Sequence, residues 1–313
     1  MDTLLNTTLK GKDYISLSDY SPSEFQYLLD LAVELKAKQK KGIAHTLQQG
    51  KTLAMIFQKA STRTRVSFEV AMYHLGGLGM FLSANDLQIG RGEPIQDTAR
   101  ILASYSEGIL IRTFSHQEVL DLAHYANVPV INGLTDNEHP TQALADMLTV
   151  YEEFGSLKGK RMAFFGDANN VATSLIHASA LAGMELVLAC PSGYRPGDKV
   201  MADYEKMKQP GASLTVVDDP KAAAEGADIL YTDVWASMGQ EKEAQARLQA
   251  LQGYQVDAAL LKLAKPSAIV MHCLPAHRGE EITDEVMECG QSRVFEEGEN
   301  RLHAHKAILA ALL

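Results

Sequence analysis

Cysteine is nearly missing from this chain: Cys190, Cys273 and Cys289 are the three found in 313 residues. So sparse and odd a set makes no disulfide framework and fits a reducing compartment. Positive charge is also short, with 29 Lys and Arg against 39 Asp and Glu, giving a formal net charge of −10. That balance argues against nucleic acid or an anionic membrane as partner. It also means that any phosphate site must be a local concentration of arginine set against a repelling global field. No apolar run approaches the ~20 residues of a membrane span. The first residues, Met1-Asp2-Thr3-Leu4-Leu5-Asn6, carry neither a basic stretch leading into an apolar one nor the arginines of a transit peptide. A cytoplasmic location is therefore expected. Finally, the first turn of the second half, Gly166-Asp167-Ala168-Asn169-Asn170, lacks the glycine fingerprint G-x-G-x-x-G, which weakens a dinucleotide-binding dehydrogenase as a reading.

What is present is the composition of a globular protein, 46% hydrophobic and 22% charged, in a chain long enough for two domains. One stretch organises the rest: Phe57-Gln58-Lys59-Ala60-Ser61-Thr62-Arg63-Thr64-Arg65-Val66-Ser67-Phe68-Glu69. The apolar run Leu53 to Phe57 predicts a strand. Ser61 or Thr62 then offers an N-cap hydroxyl, and Val66, Val70 and Tyr73 fall at helical spacing. The turn therefore sets Ser61, Thr62, Arg63 and Thr64 at a helix N-terminus, where unpaired N–H groups and the positive dipole end suit phosphate. Arginine adds a planar fork matched to phosphate oxygens. Taken alone, the stretch fits an ordinary capped helix equally well.

Along the chain, Ser21-Pro22-Ser23-Glu24 reads as the capped start of an amphipathic helix. A short strand at Met80–Leu82 leads into a polar loop, Ser83 to Pro94, of the kind that is often functional. A helix at Asp97–Tyr105, a buried strand Gly108–Arg112 ending in arginine, a helix at Gln117–Tyr125 and a strand at Val128–Asn132 follow. His139-Pro140-Thr141-Gln142 starts a long helix and furnishes a second helix N-terminus with polar side chains. Gly155-Ser156-Leu157-Lys158-Gly159-Lys160 marks a domain boundary. Beyond it, strands at Arg161–Phe165, Leu186–Ala189, Leu214–Val217, Ile229–Thr232 and Ala268–Met271 alternate with helices, which implies a parallel sheet with right-handed crossovers. The expected fold is α/β, two domains of helix-flanked parallel sheet, spanning 1–154 and 155–298. A terminal helix of about 299–313 packs back on the first domain through Leu302, Ala304, Ile308, Leu309 and Leu312. His303 and His305 are expected on its surface. In such sheets ligands bind beyond the strands' carboxyl ends. There the second domain offers Asn170, the run Asp233-Val234-Trp235-Ala236-Ser237-Met238-Gly239, and His272-Cys273-Leu274-Pro275.

With Ser61-Thr62-Arg63-Thr64-Arg65, His139-Pro140-Thr141-Gln142, Asp233 to Gly239 and His272-Cys273-Leu274-Pro275 in that order, the chain resembles the aspartate/ornithine carbamoyltransferase superfamily over nearly its whole length. Within it the Ser-Met-Gly loop and the Cys of His-Cys-Leu-Pro resemble the ornithine carbamoyltransferases. The resemblance implies a carbamoyl phosphate-binding first domain, an ornithine-binding second domain, a site in the cleft between them, and a place in arginine metabolism. Carried over by position, Ser61, Thr62, Arg63 and Thr64 would hold the phosphate. Arg112, His139 and Gln142 would hold the carbamoyl oxygen and amide, and Arg301 would approach from the terminal helix. Gln88 matches a residue that in bacterial relatives reaches a neighbouring subunit's site, which implies a homotrimer or a multiple of trimers. Asn170, Asp233, Ser237 and Met238 match residues that hold ornithine's α-amino and α-carboxylate groups. Cys273 and Leu274 match the pair near the reacting amine and complete the carbamoyl phosphate set. Gln58 and Ala60 depart from the pattern, since many relatives carry Glu and Ser there; tuning rather than loss is expected.

The reaction implied is attack by ornithine's δ-amine on the carbamoyl carbonyl, with phosphate leaving and citrulline formed. The electrophile is already activated, so neither a metal nor another cofactor is expected. Arg63, Arg112, His139 and Cys273 are the candidate catalytic groups. An amine of pKa near ~10.4 must be bound neutral, which nearby arginines and desolvation both favour. Cys273 could take the proton as thiolate or only hydrogen-bond. Two other readings stay open: a carbamoyltransferase for putrescine or an acylated ornithine, and a catalytically silent paralogue that binds anions.

Overall fold

Apolar runs flanked by capped helices recur through the chain, and each becomes a strand of a parallel sheet. The computed structural model describes residues 9–236 and 243–313. Helix α1 (Pro22–Lys40) is followed by β1 (Thr52–Phe57), α2 (Thr62–His74), β2 (Leu78–Ser83), α3 (Ile95–Tyr105), β3 (Gly108–Arg112), α4 (His116–Tyr125), β4 (Val130–Leu134) and α5 (Pro140–Phe154). The four strands are parallel, in the order β2-β1-β3-β4. β1 and β3 are buried from Leu53 and Gly108 onward, as continuous apolar strands of a covered parallel sheet must be. Their side chains Ala54, Ile56, Ile109 and Ile111 join Val119 and Leu122 of α4 in one core. Ser21 caps α1 through a complete capping box with Glu24, as its Ser-Pro-Ser-Glu start predicts.

The later elements are β5 (Arg161–Phe165), α6 (Asn170–Ala182), β6 (Glu185–Ala189), α7 (Asp198–Met207), β7 (Ser213–Val217), α8 (Pro220–Ala224), β8 (Ile229–Thr232), α9 (Ala244–Leu251), α10 (Ala258–Leu261), β9 (Ile269–His272), α11 (Asp284–Met287) and α12 (Val294–Leu312). The five strands are parallel, in the order β7-β6-β5-β8-β9. Leu230 and Val270 of adjacent strands meet Trp235, Val256 and Ile282 in that sheet's core.

The chain divides into two compact units, one running to Leu148 and resuming at Asn300–Leu313, the other Thr149–Glu299. Both divisions fall inside helices, α5 and α12. The last helix begins at Val294 rather than near Glu299. Its first turns hide in the sequence because Glu296, Glu297, Gly298 and Glu299 break the apolar period. Glu297 is nonetheless buried, accepting from the Tyr231 hydroxyl at 3.2 Å and the His272 N–H at 2.9 Å. A second correction concerns His303 and His305. Both are buried in the first unit, not on a surface.

In each sheet the strand order reverses once. The reversal lies between β1 and β3 in the first unit and between β5 and β8 in the second. Polar side chains at the carboxyl ends of those four strands converge on the crevices where such folds bind ligands.

Candidate functional site

In the first unit the crevice is filled with positive charge. Ser61 is the N-cap of α2, its hydroxyl accepting from the Thr64 N–H at 3.1 Å. Thr64 is fully buried, and its own hydroxyl oxygen accepts from Arg301 of α12 at 2.6 Å and, at the long limit of 3.5 Å, from Arg112 at the end of β3. Two guanidinium groups drawn from distant parts of the chain thus meet at one helix N-terminus. Thr62 is exposed and Arg63 half-buried on the same turn. His139, at the start of α5, is buried beside them. Burial first, then chiefly the charges of the Arg301 and Arg112 guanidinium groups, hold its pKa well below the usual histidine value. A neutral imidazole can still donate one hydrogen bond, which makes it a polarising group rather than a fourth cation. The Gln142 side-chain amide donates to Asp146 at 2.7 Å. The short helical turn Gln88–Arg91 starts with Gln88 exposed.

The second unit's crevice is built on a carboxylate. Asp233, following β8, is 6% exposed. One of its oxygens accepts from the Val234 N–H at 2.8 Å and from the Cys273 thiol at 3.0 Å; the other accepts from the Asn169 amide at 2.7 Å. Cys273 follows β9, so side chains from the ends of three strands meet at one acid. Asn169 is a residue that sequence reasoning missed in favour of its neighbour Asn170. Its Oδ1 caps α6 by accepting from the Val171 and Ala172 N–H groups, which leaves its amide to donate to Asp233. Asn170 is half-buried and opens the helix. Leu274 sits in the left-handed region, φ 58°, a conformation that costs a branched side chain roughly 1 kcal/mol and persists only when held. His272 holds it. Its Nδ1 accepts from the Leu274 N–H at 2.9 Å while Nε2 lies 3.0 Å from Glu281, so the proton is on Nε2. Arg247 was missed as well. It pairs with Asp167 of the β5–α6 turn, Glu243 and the Trp235 carbonyl. Ser237 and Met238 lie outside the described residues.

Asp233, His272 and Cys273 each present a potential ligand atom within 4.8 Å of one another. Both ring nitrogens of His272 are engaged, however, so a cation there would have to displace the Leu274 N–H or Glu281.

The carbamoyl-P binding domain of aspartate/ornithine carbamoyltransferases matches residues 12–152, and the Asp/Orn binding domain matches residues 158–312. The chain belongs to the aspartate/ornithine carbamoyltransferase family. The ornithine carbamoyltransferase of Anoxybacillus flavithermus is 53% identical over 314 residues, covering 100% of both chains. Among solved structures, the ornithine carbamoyltransferase of Pyrococcus furiosus superposes with a TM-score of 0.93 at 51% identity, covering 97% of each chain. The anabolic ornithine carbamoyltransferase of Campylobacter jejuni gives 0.90 at 38% identity over 95% of this chain and 97% of that one. The family's second domain takes in all of α12 by sequence, whereas in space Asn300–Leu313 groups with the first unit. Hydrogen bonds of Asn300 with Lys36, Arg301 with Thr64, His305 with Ser67 and Lys306 with Gln39 tie that segment to α1 and α2. Among the described residues, no helix is long and apolar enough to cross a membrane.

Proposed function

We propose that this carbamoyltransferase moves the carbamoyl group of carbamoyl phosphate to the δ-amine of L-ornithine, giving L-citrulline and phosphate. The observation that carries the reading is the pairing of Arg112 and Arg301 on Thr64 at the N-terminus of α2, beside a neutral His139. The backbone N–H groups of that turn, Ser61, Thr62, Thr64 and the Arg63 guanidinium hold the phosphate. Arg112, His139 and Gln142 polarise the carbamoyl carbonyl, and Arg301 holds Thr64 in place for both. The neutral δ-amine attacks the carbonyl carbon, and charge grows on the carbonyl oxygen. The C–O bond to phosphate then breaks, leaving its electrons on phosphate, while the new nitrogen sheds a proton. Each aimed donor lowers such a barrier by about 2.7–4 kcal/mol, and proximity by about 7–11.

On the acceptor side, Asp233, Asn170, Ser237 and Met238 hold the α-ammonium and α-carboxylate, with Cys273 and Leu274 beside the δ-nitrogen. Asp233 already accepts from Asn169, Val234 and Cys273, so its carboxylate is aimed before substrate arrives. An acid so placed has a use with ornithine's α-ammonium and none with putrescine, which lacks one. The protein assembles as a homotrimer or a multiple of it, with Gln88 reaching a neighbouring subunit. Exposed Val66, Tyr73, Leu78, Ile101 and Tyr105 on the first unit are the apolar surface such an assembly would cover. With three free cysteines, it works in the reducing cytoplasm.

The test is citrulline formation from carbamoyl phosphate, with L-ornithine, putrescine and N-acetylornithine as rival acceptors. Selective use of L-ornithine is expected. Turnover of another amine would overturn the roles given to Asp233 and its neighbours, and carbamoyl phosphate binding without turnover would favour the silent paralogue.

A further inference from the structure

Helix α12 touches the first turns of α2 twice. Arg301 donates to the Thr64 hydroxyl at 2.6 Å, and one turn further on His305 Nδ1 lies 2.8 Å from the Ser67 hydroxyl. The spacings match, because residues four apart on α12 and three apart on α2 each share a helix face. The His305 ring is fully buried and stacks on Phe68, centroids 3.8 Å apart and 17° from parallel, so its orientation is fixed by packing. Ser67 in turn lies 2.6 Å from the Arg63 carbonyl and 3.2 Å from that of Thr64.

The direction of these bonds follows from geometry. A carbonyl can only accept, so at 2.6 Å the Ser67 hydrogen goes to Arg63. The Ser67 oxygen is then an acceptor, and His305 donates to it through Nδ1. His305 Nε2 is buried with no hydrogen-bond partner among the described residues, which is tolerable for a lone pair and costly for an N–H. The ring is therefore neutral and protonated on Nδ1. A donor feeding the Ser67 oxygen strengthens the bond that oxygen's hydrogen makes onward.

We propose that His305 is a positioning residue for the anion site: through Ser67 it fixes the Arg63 carbonyl and so the pitch of the turn that aims Arg63 and Thr64. This rests on the carbamoyl phosphate reading of that turn. His305 touches neither substrate, so its loss is felt in the site's geometry and not in a missing contact.

The test compares His305→Leu, His305→Asn and Ser67→Ala with the wild type in citrulline formation. Leucine fills the space without a donor, asparagine puts an N–H near the place of Nδ1, and Ser67→Ala removes one half-buried hydroxyl at little risk to folding. The expected result is a rise of roughly tenfold in the KM for carbamoyl phosphate with His305→Leu and with Ser67→Ala, the KM for L-ornithine staying within about twofold. His305→Asn should recover most of the loss, which a purely packing role would not allow. Unchanged carbamoyl phosphate KM values in Ser67→Ala, both KM values rising together, or asparagine no better than leucine would each overturn the inference. If the wild type forms no citrulline, it is the functional reading that fails. Calorimetry with inorganic phosphate then decides the inference separately. Weaker binding by Ser67→Ala supports it, and binding that is unchanged, or undetectable in wild type, overturns it.

Discussion

The two crevices are built on the same plan with opposite charge. In the first unit the reversal of strand order between β1 and β3 collects Arg112, Arg301 and a helix N-terminus around Thr64. In the second the reversal between β5 and β8 collects donors from Asn169, Val234 and Cys273 around the carboxylate of Asp233. A parallel sheet opens its strand ends at such a point whatever the chemistry. What differs is which side chains the following turns deliver. A chain of net charge −10 thus still builds a local cluster of positive charge, because two arginines more than 180 residues apart are brought to one hydroxyl, and on the proposed reading that cluster serves the phosphate. On the proposed reading, opposite charge would keep the amine acceptor and the anionic donor in distinct crevices.

The largest break in the comparison should come from the cationic side. Arg63→Ala is expected to lower kcat/KM for carbamoyl transfer by roughly 10²–10³-fold or more and to weaken carbamoyl phosphate binding, with circular dichroism unchanged. Next is Asp233→Asn, which keeps the shape and removes the charge. The KM for L-ornithine should rise by roughly two orders of magnitude while carbamoyl phosphate binding stays near wild type. Steady-state kinetics with each substrate varied in turn checks both. Cys273→Ala should raise the ornithine KM and slow turnover by about tenfold, sparing carbamoyl phosphate. Unchanged ornithine kinetics would remove Cys273 from the site.

Much of this plan was legible in the sequence. Seven of the nine strands, the caps at Ser21 and Ser61 and the arginine ending β3 follow from apolar runs and hydroxyl spacing, within a residue or so of where they stand; β2 and β4 are offset by two. Asn169 was not legible because two adjacent asparagines look alike until one turns its oxygen to α6 and its amide to Asp233. Arg247 was hidden because its partner Asp167 lies 80 residues away. His303 and His305 were misplaced because a polar residue in an amphipathic helix is assigned to solvent by default. Here α12 is packed on so many sides that even Lys306 is buried, donating to the Leu35 carbonyl at 3.3 Å and to Gln39 at 2.6 Å.

Two smaller effects sharpen the picture within the first unit. Gln58, an expected departure from the family pattern, donates its amide at 3.0 Å to Glu118, which also accepts from the Thr113 hydroxyl. Changing Gln58→Glu together with Ala60→Ser would set two carboxylates against each other. Activity should change by less than about tenfold and stability fall by about 1 kcal/mol in urea unfolding. Activity raised by orders of magnitude would contradict the expectation of tuning. The smallest effect concerns Lys306. Burial lowers its pKa from 10.5 to about 8 in the folded chain. Between those values the unfolded chain binds more protons, so stability attributable to Lys306 rises with pH across that window. Melting temperatures at pH 7.5 and 9.5 should therefore diverge less in Lys306→Met than in wild type.

On the proposed reading the two crevices hold different substrates. The direct measurement is calorimetric binding of carbamoyl phosphate, without ornithine, to wild type, Arg63→Ala and Asp233→Asn. Binding lost in Arg63→Ala and kept within about threefold in Asp233→Asn is the predicted result. Equal loss in both variants, or a loss confined to Asp233→Asn, would contradict it.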